Sequence, residues 1–430
     1  MYTSEFKSTL THSQALQGIV AFCTQYRIYM VLNSGEKHTL GKTDLNYSKF
    51  EIMAGAGAEK QFSTEDNCFD TLKTFRKENQ EWMFGHLSYD LKNEIEPLLY
   101  SQKANHIGFD QMSFFVPTIR IEYAKDKFII TSNDGSTHPQ IFRDICKGRV
   151  SALKKSKFSF QTGVNKEDYY STLKQLKHHI QVGDIYEVTY CRELFAETEI
   201  IPEHQYLNLM EVSPAPFSAL YRHGDKYLIS ASPERFLARR GRTIISQPIK
   251  GTYPRFKDAQ RDEESARALL LDEKERAENV MIVDLVRNDL SRTALMDSVK
   301  VKELFGIYSF PGVHQMISTV TSDVDPRFCS EDVIKYAFPM GSMTGAPKVR
   351  AMQIIEEYEK SYRGLFSGSV GYFSPDGDFD FSVIIRSLLY NQTNRYLSLS
   401  VGGAITSKSD IEKEFQETEM KAERIQELFS

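Results

Sequence analysis

Glu414, Glu417 and Lys421 recur at helical spacing with Ile425 and Leu428, so at about 100° per residue all five share one face of a helix near the end of the chain. The two apolar residues must face a core, which carries the carboxylates and the lysine onto a buried stripe. Glu275 and Glu278 stand in the same relation to Ile282 and Leu285. An acidic pair three residues apart is a weak motif alone. The 58 acidic residues among 430 supply about eight such pairs by chance, and most are solvated faces or ion pairs. On an apolar stripe the choice is narrower, because a buried carboxylate must be neutralised, paired or bound to a metal. Two converging pairs would offer an all-oxygen ligand set, which favours Mg²⁺.

Three more features suggest chemistry. In Gly341-Ser342-Met343-Thr344-Gly345-Ala346-Pro347-Lys348, Pro347 suits a first helical turn and the amides ahead of it form a ready anion site. The loop does not match the phosphate-binding pattern GxxxxGK[ST]. Lys348 falls where the helix dipole disfavours a cation, so an anionic ligand explains it more readily than stability does; an ordinary loop-to-helix junction is the competing account. Lys250 closes the apolar strand TIISQPI and precedes Gly251. A lysine at a strand end is ordinarily solvated, yet one whose charge is destabilised by burial becomes a neutral amine able to attack carbon. Glu234, in Ser232-Pro233-Glu234-Arg235-Phe236, lies one hairpin arm earlier and within reach of the same sheet end. Its plainer role is an ion pair with Arg235 or a neighbouring basic residue. Residue chemistry alone thus reaches an anion-binding enzyme that Mg²⁺ would serve.

The pattern also marks the elements that must hold these side chains. Residues 114–135 alternate with period two about a turn at Ala124–Lys127, which predicts a hairpin. Asn165 with Asp168 predicts the cap of a helix whose apolar face is Tyr169, Leu173, Leu176 and Ile180 and whose stop is Gly183. Hairpins are predicted over 218–253, turning at His223–Asp225 and Arg240–Gly241, followed by a charged helical stretch over about 257–290. A helix should begin near Pro347. Residues 367–405 predict three strands joined by PDGD and NQTN turns, and a terminal helix covers about 409–428. Successive hairpins interrupted by helices define an α+β class with antiparallel sheets. The basic, polar stretch 146–163 divides an N-terminal region, 1–150, from a second region, 163–428, both of which contribute to one integrated fold.

Composition narrows the class. Hydrophobic residues make up 41% and charged residues 26%, ordinary globular usage, and the net charge of −5 points to neither nucleic acid nor an anionic membrane. The five cysteines are scattered without CxxC or Cys/His clustering, which argues against disulfides or zinc and for the cytoplasm; Cys191 reads as core. The N-terminus lacks the order of a signal peptide, and no apolar run approaches the roughly 18 residues of a membrane helix.

Eight segments in order resemble the chorismate-utilising enzymes, the anthranilate synthase component I-like family: GDIYEV (183–188), SPERF (232–236), PIKGT (248–252), ERAENVMIVDLVRNDLSR (275–292), FPMGSMTGAPKVRAMQII (338–355), GSVGYFSPDGDFDFSVIIRS (368–387), GGAI (402–405) and EFQETEMKA (414–422). The resemblance implies large antiparallel sheets packed face to face with flanking helices. It implies chorismate as substrate, with Mg²⁺ bridging a substrate carboxylate to Glu275, Glu278, Glu414 and Glu417. It implies that Arg386, Lys421 and the amides of Gly402, Gly403 and Ala404 bind substrate carboxylates, and that Ser342 lies in the substrate loop.

Within the family, isochorismate and salicylate synthases carry a lysine, the base for water, where Glu187 stands here. Anthranilate synthases read PIAGT, with alanine in place of Lys250. Lysine there resembles the aminodeoxychorismate synthase branch, component I, in which the uncharged amine adds to ring C2 as the C4 hydroxyl leaves and ammonia then displaces it. Glu234 is by resemblance the acid for that hydroxyl. The alternatives are an anthranilate synthase component I and a non-catalytic relative that binds chorismate or tryptophan. Four positions depart from the family pattern: Gln315 for a histidine, Glu187 for a glutamine, Ala404 for a glycine and Phe366 for a tyrosine. Segments 32–35, 47–50 and 213–218 resemble a tryptophan pocket, which offers Ser34, Tyr47, Ser48, Lys49, Phe50, Pro216, Phe217 and Ser218 as its lining. The chain is too short to include a full glutamine amidotransferase domain and has no cysteine in such a motif, so a separate glutaminase subunit, component II, is expected to supply ammonia.

Overall fold

Continuous apolar strands such as IYMVLN (Ile28–Asn33) need cover on both faces, and the chain provides it by stacking two sheets and coating them with helices. The computed structural model describes residues 1–35, 50–101, 103–150 and 158–429. Tyr47, Ser48 and Lys49 lie outside the described residues. Among the described residues one sheet has 12 strands and the other 10, and every pairing within them is antiparallel.

Alternation along Ile28–Asn33 shows how the layers form. Ile28 and Met30 join a core shared with Phe84, Phe114, Val370 and Phe381 of the smaller sheet, whereas Tyr29 and Val31 face helices on the other side. Both sheets draw on both halves of the chain. Ile28–Asn33 pairs with Phe217–His223 in the larger sheet, and Met83–Leu87 pairs with Ser369–Phe373 in the smaller. The helix Lys166–Gln181 begins as expected, Asn165 accepting from the Asp168 amide, and Tyr169, Leu173 and Leu176 are buried on its inner face.

Three expectations are corrected. The hairpin turning at Ala124–Lys127 forms, but it does not take in the whole run 114–135. Pro117 and Thr118 separate Met112–Val116, in the smaller sheet, from the hairpin Ile119–Ala124 and Lys127–Ser132, in the larger. The charged stretch 257–290 is two helices, Ala259–Leu271 and Glu273–Ser291, because Asp272 takes extended backbone angles and accepts the Glu275 amide as a cap. Residues 367–405 form four strands. The apolar run after the PDGD turn breaks at Arg386, whose φ of +49° ends Phe379–Val383 in one sheet and lets Ser387–Asn391 start in the other.

Candidate active site

Two places where the chain crosses between sheets lie side by side. At Pro233-Glu234 it leaves Lys226–Ser232 of the larger sheet for Arg235–Arg240 of the smaller, and at Ile384–Arg386 it returns. The crossings are stitched together by the Val383 amide donating to Glu234 O and the Ala231 amide donating to Arg386 O, each at 3.1 Å. Glu234 and Arg386 are thus held by backbone geometry at one seam. Arg235 turns away from Glu234 and pairs with Asp380 at 2.9 Å, so the simple Glu234–Arg235 ion pair does not form.

Burial sets the behaviour of both groups. It pushes the Glu234 carboxyl up to about 7, against the pull of Ser342, Lys250 and Arg386. It pushes the Arg386 guanidinium down to about 10, with Arg424 adding repulsion and Glu234 opposing. Among the described residues the Arg386 guanidinium has neither a hydrogen bond nor an ion pair, which leaves its planar fork open to a carboxylate. Ser342 Oγ is buried without a well-formed hydrogen bond and lines a small cavity together with Glu234.

Lys250 reaches the seam from Ile249–Pro254. That strand's pairing with Val313–Asp323 slips between Ile249 and Thr252, and Gly251 takes φ +85° inside the slip. A bulge re-aims the neighbouring side chain. Glycine is favoured there because a side chain is strained at that φ whatever the space around it; a Cβ would also stand 2.9 Å from Leu269 Cδ1 and 3.0 Å from Glu275 Oε2. Lys250 Nζ donates to Glu187 Oε1 at 2.6 Å, and the side chains are 10% and 0% exposed. Burial does push this lysine toward neutrality, but the carboxylates of Glu187, Glu278 and Glu234 outweigh it and raise its pKa. The expectation of a lysine discharged by burial is therefore corrected: as it stands, the amine is held protonated.

The four glutamates come from two helices, Glu273–Ser291 and Ile411–Gln426. Glu278 and Glu414 are buried, Glu275 is half-buried, and Glu417 is 46% exposed. Lys274 Nζ stands between the pairs, 3.7 Å from Glu278 Oε1 and 3.4 Å from Glu414 Oε1. Burial raises Glu275, and raises Glu278 to about 7, while the nearby Lys421 holds Glu417 below its ordinary range despite desolvation. Glu278 Oε1 has no hydrogen-bond partner among the described residues. Among the described residues no three acidic, histidine or cysteine side chains form a metal-holding group as placed. The donor chemistry nevertheless suits Mg²⁺: carboxylates only, an orphaned buried oxygen, and a cation already drawn between them.

The remaining expected residues divide. Gly402–Ala404 lie on Tyr396–Thr406 opposite Thr189–Cys191. Gly402 O accepts from Lys421 Nζ at 2.8 Å and Ala404 O from Ser409 Oγ at 3.4 Å, both away from that neighbour. Strand alternation turns the amides of Gly402 and Ala404 the same way and the Gly403 amide into the ladder with Tyr190. Lys421 is 44% exposed and also pairs with Glu417 at 2.7 Å, so it leaves the buried stripe, which runs instead through Glu414, Thr418, Ala422 and Ile425. Gln315 is buried opposite Thr252, next to the bulge, with Oε1 unpaired among the described residues. Phe366 packs in the core between the sheets. Lys348 needs no ligand, because its Nζ donates to Asp289 Oδ2 at 2.6 Å and Ala337 O at 3.0 Å. Pro347 stands at the cap position, one residue before the helix Lys348–Tyr358.

Ser34, Phe50, Pro216, Phe217 and Ser218 line one cavity of about 40 Å³ with Asp380 and Tyr372. A neighbouring cavity of about 300 Å³ shares Asn33, Ser34 and Pro216. Sequence reasoning missed two functional neighbours. Lys274 was hidden among surface charges although it sits four residues before Glu278, and the partnership of Glu187 with Lys250 spans 63 positions.

Among the described residues no helix is long and apolar enough to cross a membrane. Residues 29–427 match the family model described as chorismate binding enzyme. Aminodeoxychorismate synthase component 1 of Escherichia coli is 41% identical over 266 residues, 62% of this chain and 58% of that protein, so the match spans less than two thirds of the relative. The chloroplastic aminodeoxychorismate synthase of Arabidopsis thaliana is 33% identical over 90% of this chain and 43% of its own length. Anthranilate synthase component 1 of Haloferax volcanii is 37% identical over 60% and 49%. Among solved structures, anthranilate synthase component I from Streptococcus pneumoniae superposes with a TM-score of 0.77 at 24% identity, covering 92% of this chain and 95% of that one, a likeness of fold. The family match covers most of the chain, and on that ground the protein belongs to the chorismate binding enzyme family.

Proposed function

We propose that this chain replaces the C4 hydroxyl of chorismate by an amino group, forming 4-amino-4-deoxychorismate on the way to 4-aminobenzoate and folate, as component I of a cytoplasmic aminodeoxychorismate synthase. The observation that carries the reading is a buried lysine at 250, aimed by a bulge toward a seam that also holds Glu234 and an Arg386 without a partner among the described residues. Arg386, Lys421, Ser342 and the outward amides of Gly402 and Ala404 hold the substrate's carboxylates and fix the ring. Glu234, with a pKa near 7, is still partly protonated at neutral pH and gives its proton to the departing hydroxyl. Lys250, as a free amine, bonds to ring C2. Ammonia then enters at C4 and displaces it, and the enolpyruvyl group stays in place.

Glu275, Glu278, Glu414 and Glu417 would hold Mg²⁺, which when bound supplies a positive centre for a substrate carboxylate. Ammonia would come from a glutamine amidotransferase subunit, with ammonium salts substituting in its absence. Tryptophan is the proposed occupant beside Ser34, Phe50, Pro216, Phe217 and Ser218, and calorimetric titration with the amino acid tests it.

Incubating the chain with chorismate, Mg²⁺ and ammonium decides the main reading. The expected product yields 4-aminobenzoate only after a separate lyase is added. Lys250→Ala should lower that product by about 100-fold or more. Direct release of anthranilate and pyruvate would favour the anthranilate synthase reading, and binding without turnover a sensor.

A further inference from the structure

The lysine that must attack carbon is held toward its protonated form by the carboxylates around it. Among the described residues its Nζ touches a single carboxylate, Glu187 Oε1 at 2.6 Å. The other acidic groups whose charge it feels, Glu278 on the helix Glu273–Ser291 and Glu234 at the seam, make no ion pair with it. Glu234 already has a task as the acid. Glu187 is fully buried at the start of Glu187–Glu197, between the strands Gly345–Ala346 and Tyr396–Thr406. Its side chain has no hydrogen-bond partner other than Lys250 among the described residues, and Oε2 is buried with none at all.

We infer that Glu187 is the resident base of the reaction, taking the proton that Lys250 must lose before it attacks the ring. The inference rests on the lysine-adduct reading above. The ammonium passes one proton along the existing hydrogen bond, leaving a neutral amine and a neutral carboxylic acid. The nitrogen lone pair then forms the bond to C2, the two ring π-pairs shift, and the C4–O bond breaks with its electrons to an oxygen that Glu234 protonates to water. When ammonia bonds to C4 the π-pairs shift back and the N–C2 bond breaks, so the lysine departs as a neutral amine. It recovers its proton from Glu187, while the new C4 ammonium returns one to Glu234. Both acids end as they began. Proton transfer inside a buried, net-neutral pair also moves no charge to or from solvent, so the amine is freed without exposing an uncompensated ion.

The test follows the adduct, substrate less one water, by intact-protein mass spectrometry with the full chain, chorismate and Mg²⁺ but no ammonium, from pH 6.5 to 9.5. Rates are compared with wild type at each pH, because the wild-type rate itself follows Glu234 and should fall as that acid loses its proton above about pH 7. Relative to wild type, Glu187→Gln should be slower by about 100-fold at pH 7 and regain roughly tenfold per pH unit as hydroxide replaces the missing base. Glu187→Asp, which keeps a withdrawn carboxylate, should fall between them with a ratio to wild type that does not change with pH; it also serves if the amide variant fails to fold. A Glu187→Gln rate equal to wild type at every pH, or a hydroxide-like ratio in Glu187→Asp, would overturn the inference while leaving the adduct mechanism standing. Absence of any adduct in the wild type would overturn the adduct reading itself.

Discussion

Glu234 carries a cost that its chemistry requires. Its folded-state pKa of about 7 stands above the ordinary 4.5, so the folded protein binds this proton more tightly than the unfolded chain. The stability associated with Glu234 is therefore complete below about pH 4.5 and is lost as pH rises toward 7, by roughly 2–4 kcal/mol. Glu234→Gln removes the ionisation and should escape that loss. Urea melts at pH 5 and pH 8 should show the variant's advantage over wild type growing by about that amount, while turnover falls by about 100-fold or more. A stability difference independent of pH would mean that the carboxyl is not desolvated as its position implies. The sequence marked Glu234 through SPERF and its nearness to a strand end. It could not show that Arg235 turns to Asp380, because which of two adjacent side chains faces the seam is decided by the crossing itself.

Helix caps and bulges decide where the reactive groups point. Asp272 ends one helix and starts the next, accepting from the Glu275 amide at 2.9 Å and from Tyr253 Oη at 2.8 Å. It thereby ties the first turn of the glutamate-bearing helix to the strand that carries Lys250. Asp272→Ala should cost about 1 kcal/mol as a lost cap. If Glu275 and Glu278 hold Mg²⁺, the same change should weaken Mg²⁺ binding several-fold in calorimetric titration, whereas a remote capping variant such as Asn165→Ala should cost similar stability and leave Mg²⁺ affinity alone. Equal Mg²⁺ affinity in both variants would detach the cap from the site. Element identity was legible here, since the 3.6-residue period and charged faces mark both helices. The joint between them was not, because Leu271-Asp272-Glu273 contains neither glycine nor proline, and a cap aspartate among many acidic residues looks like a surface charge. The break at Arg386 hid for a related reason: FDFSVIIRSLLYN reads as one long strand, and nothing in an arginine announces a positive φ.

At the scale of the whole chain, the two sheets and the family were legible, because the motif order carries a fold in which hairpins recur on either side of the helices. The sharing of strands was not, since pairing partners lie far apart in sequence and each half taken alone shows only ordinary hairpins. That sharing has a thermodynamic consequence. A fragment of residues 158–430 would bare the edges of Phe217–His223 and Ser369–Phe373, which in the intact chain pair with Ile28–Asn33 and Met83–Leu87. It would also strip Met30, Phe84 and Phe114 from the core between the sheets, where the residues behind the Glu234 and Arg386 crossings pack. Unpaired edges and a half-filled core favour association over folding. The full chain is therefore expected to unfold in one cooperative transition followed by circular dichroism, and the 158–430 fragment to show no sharp transition and to aggregate. A fragment that melted sharply would place the stabilising core within that part alone. It would then require the seam, with Lys250, Glu234 and Arg386, to be held without the strands that complete both sheets.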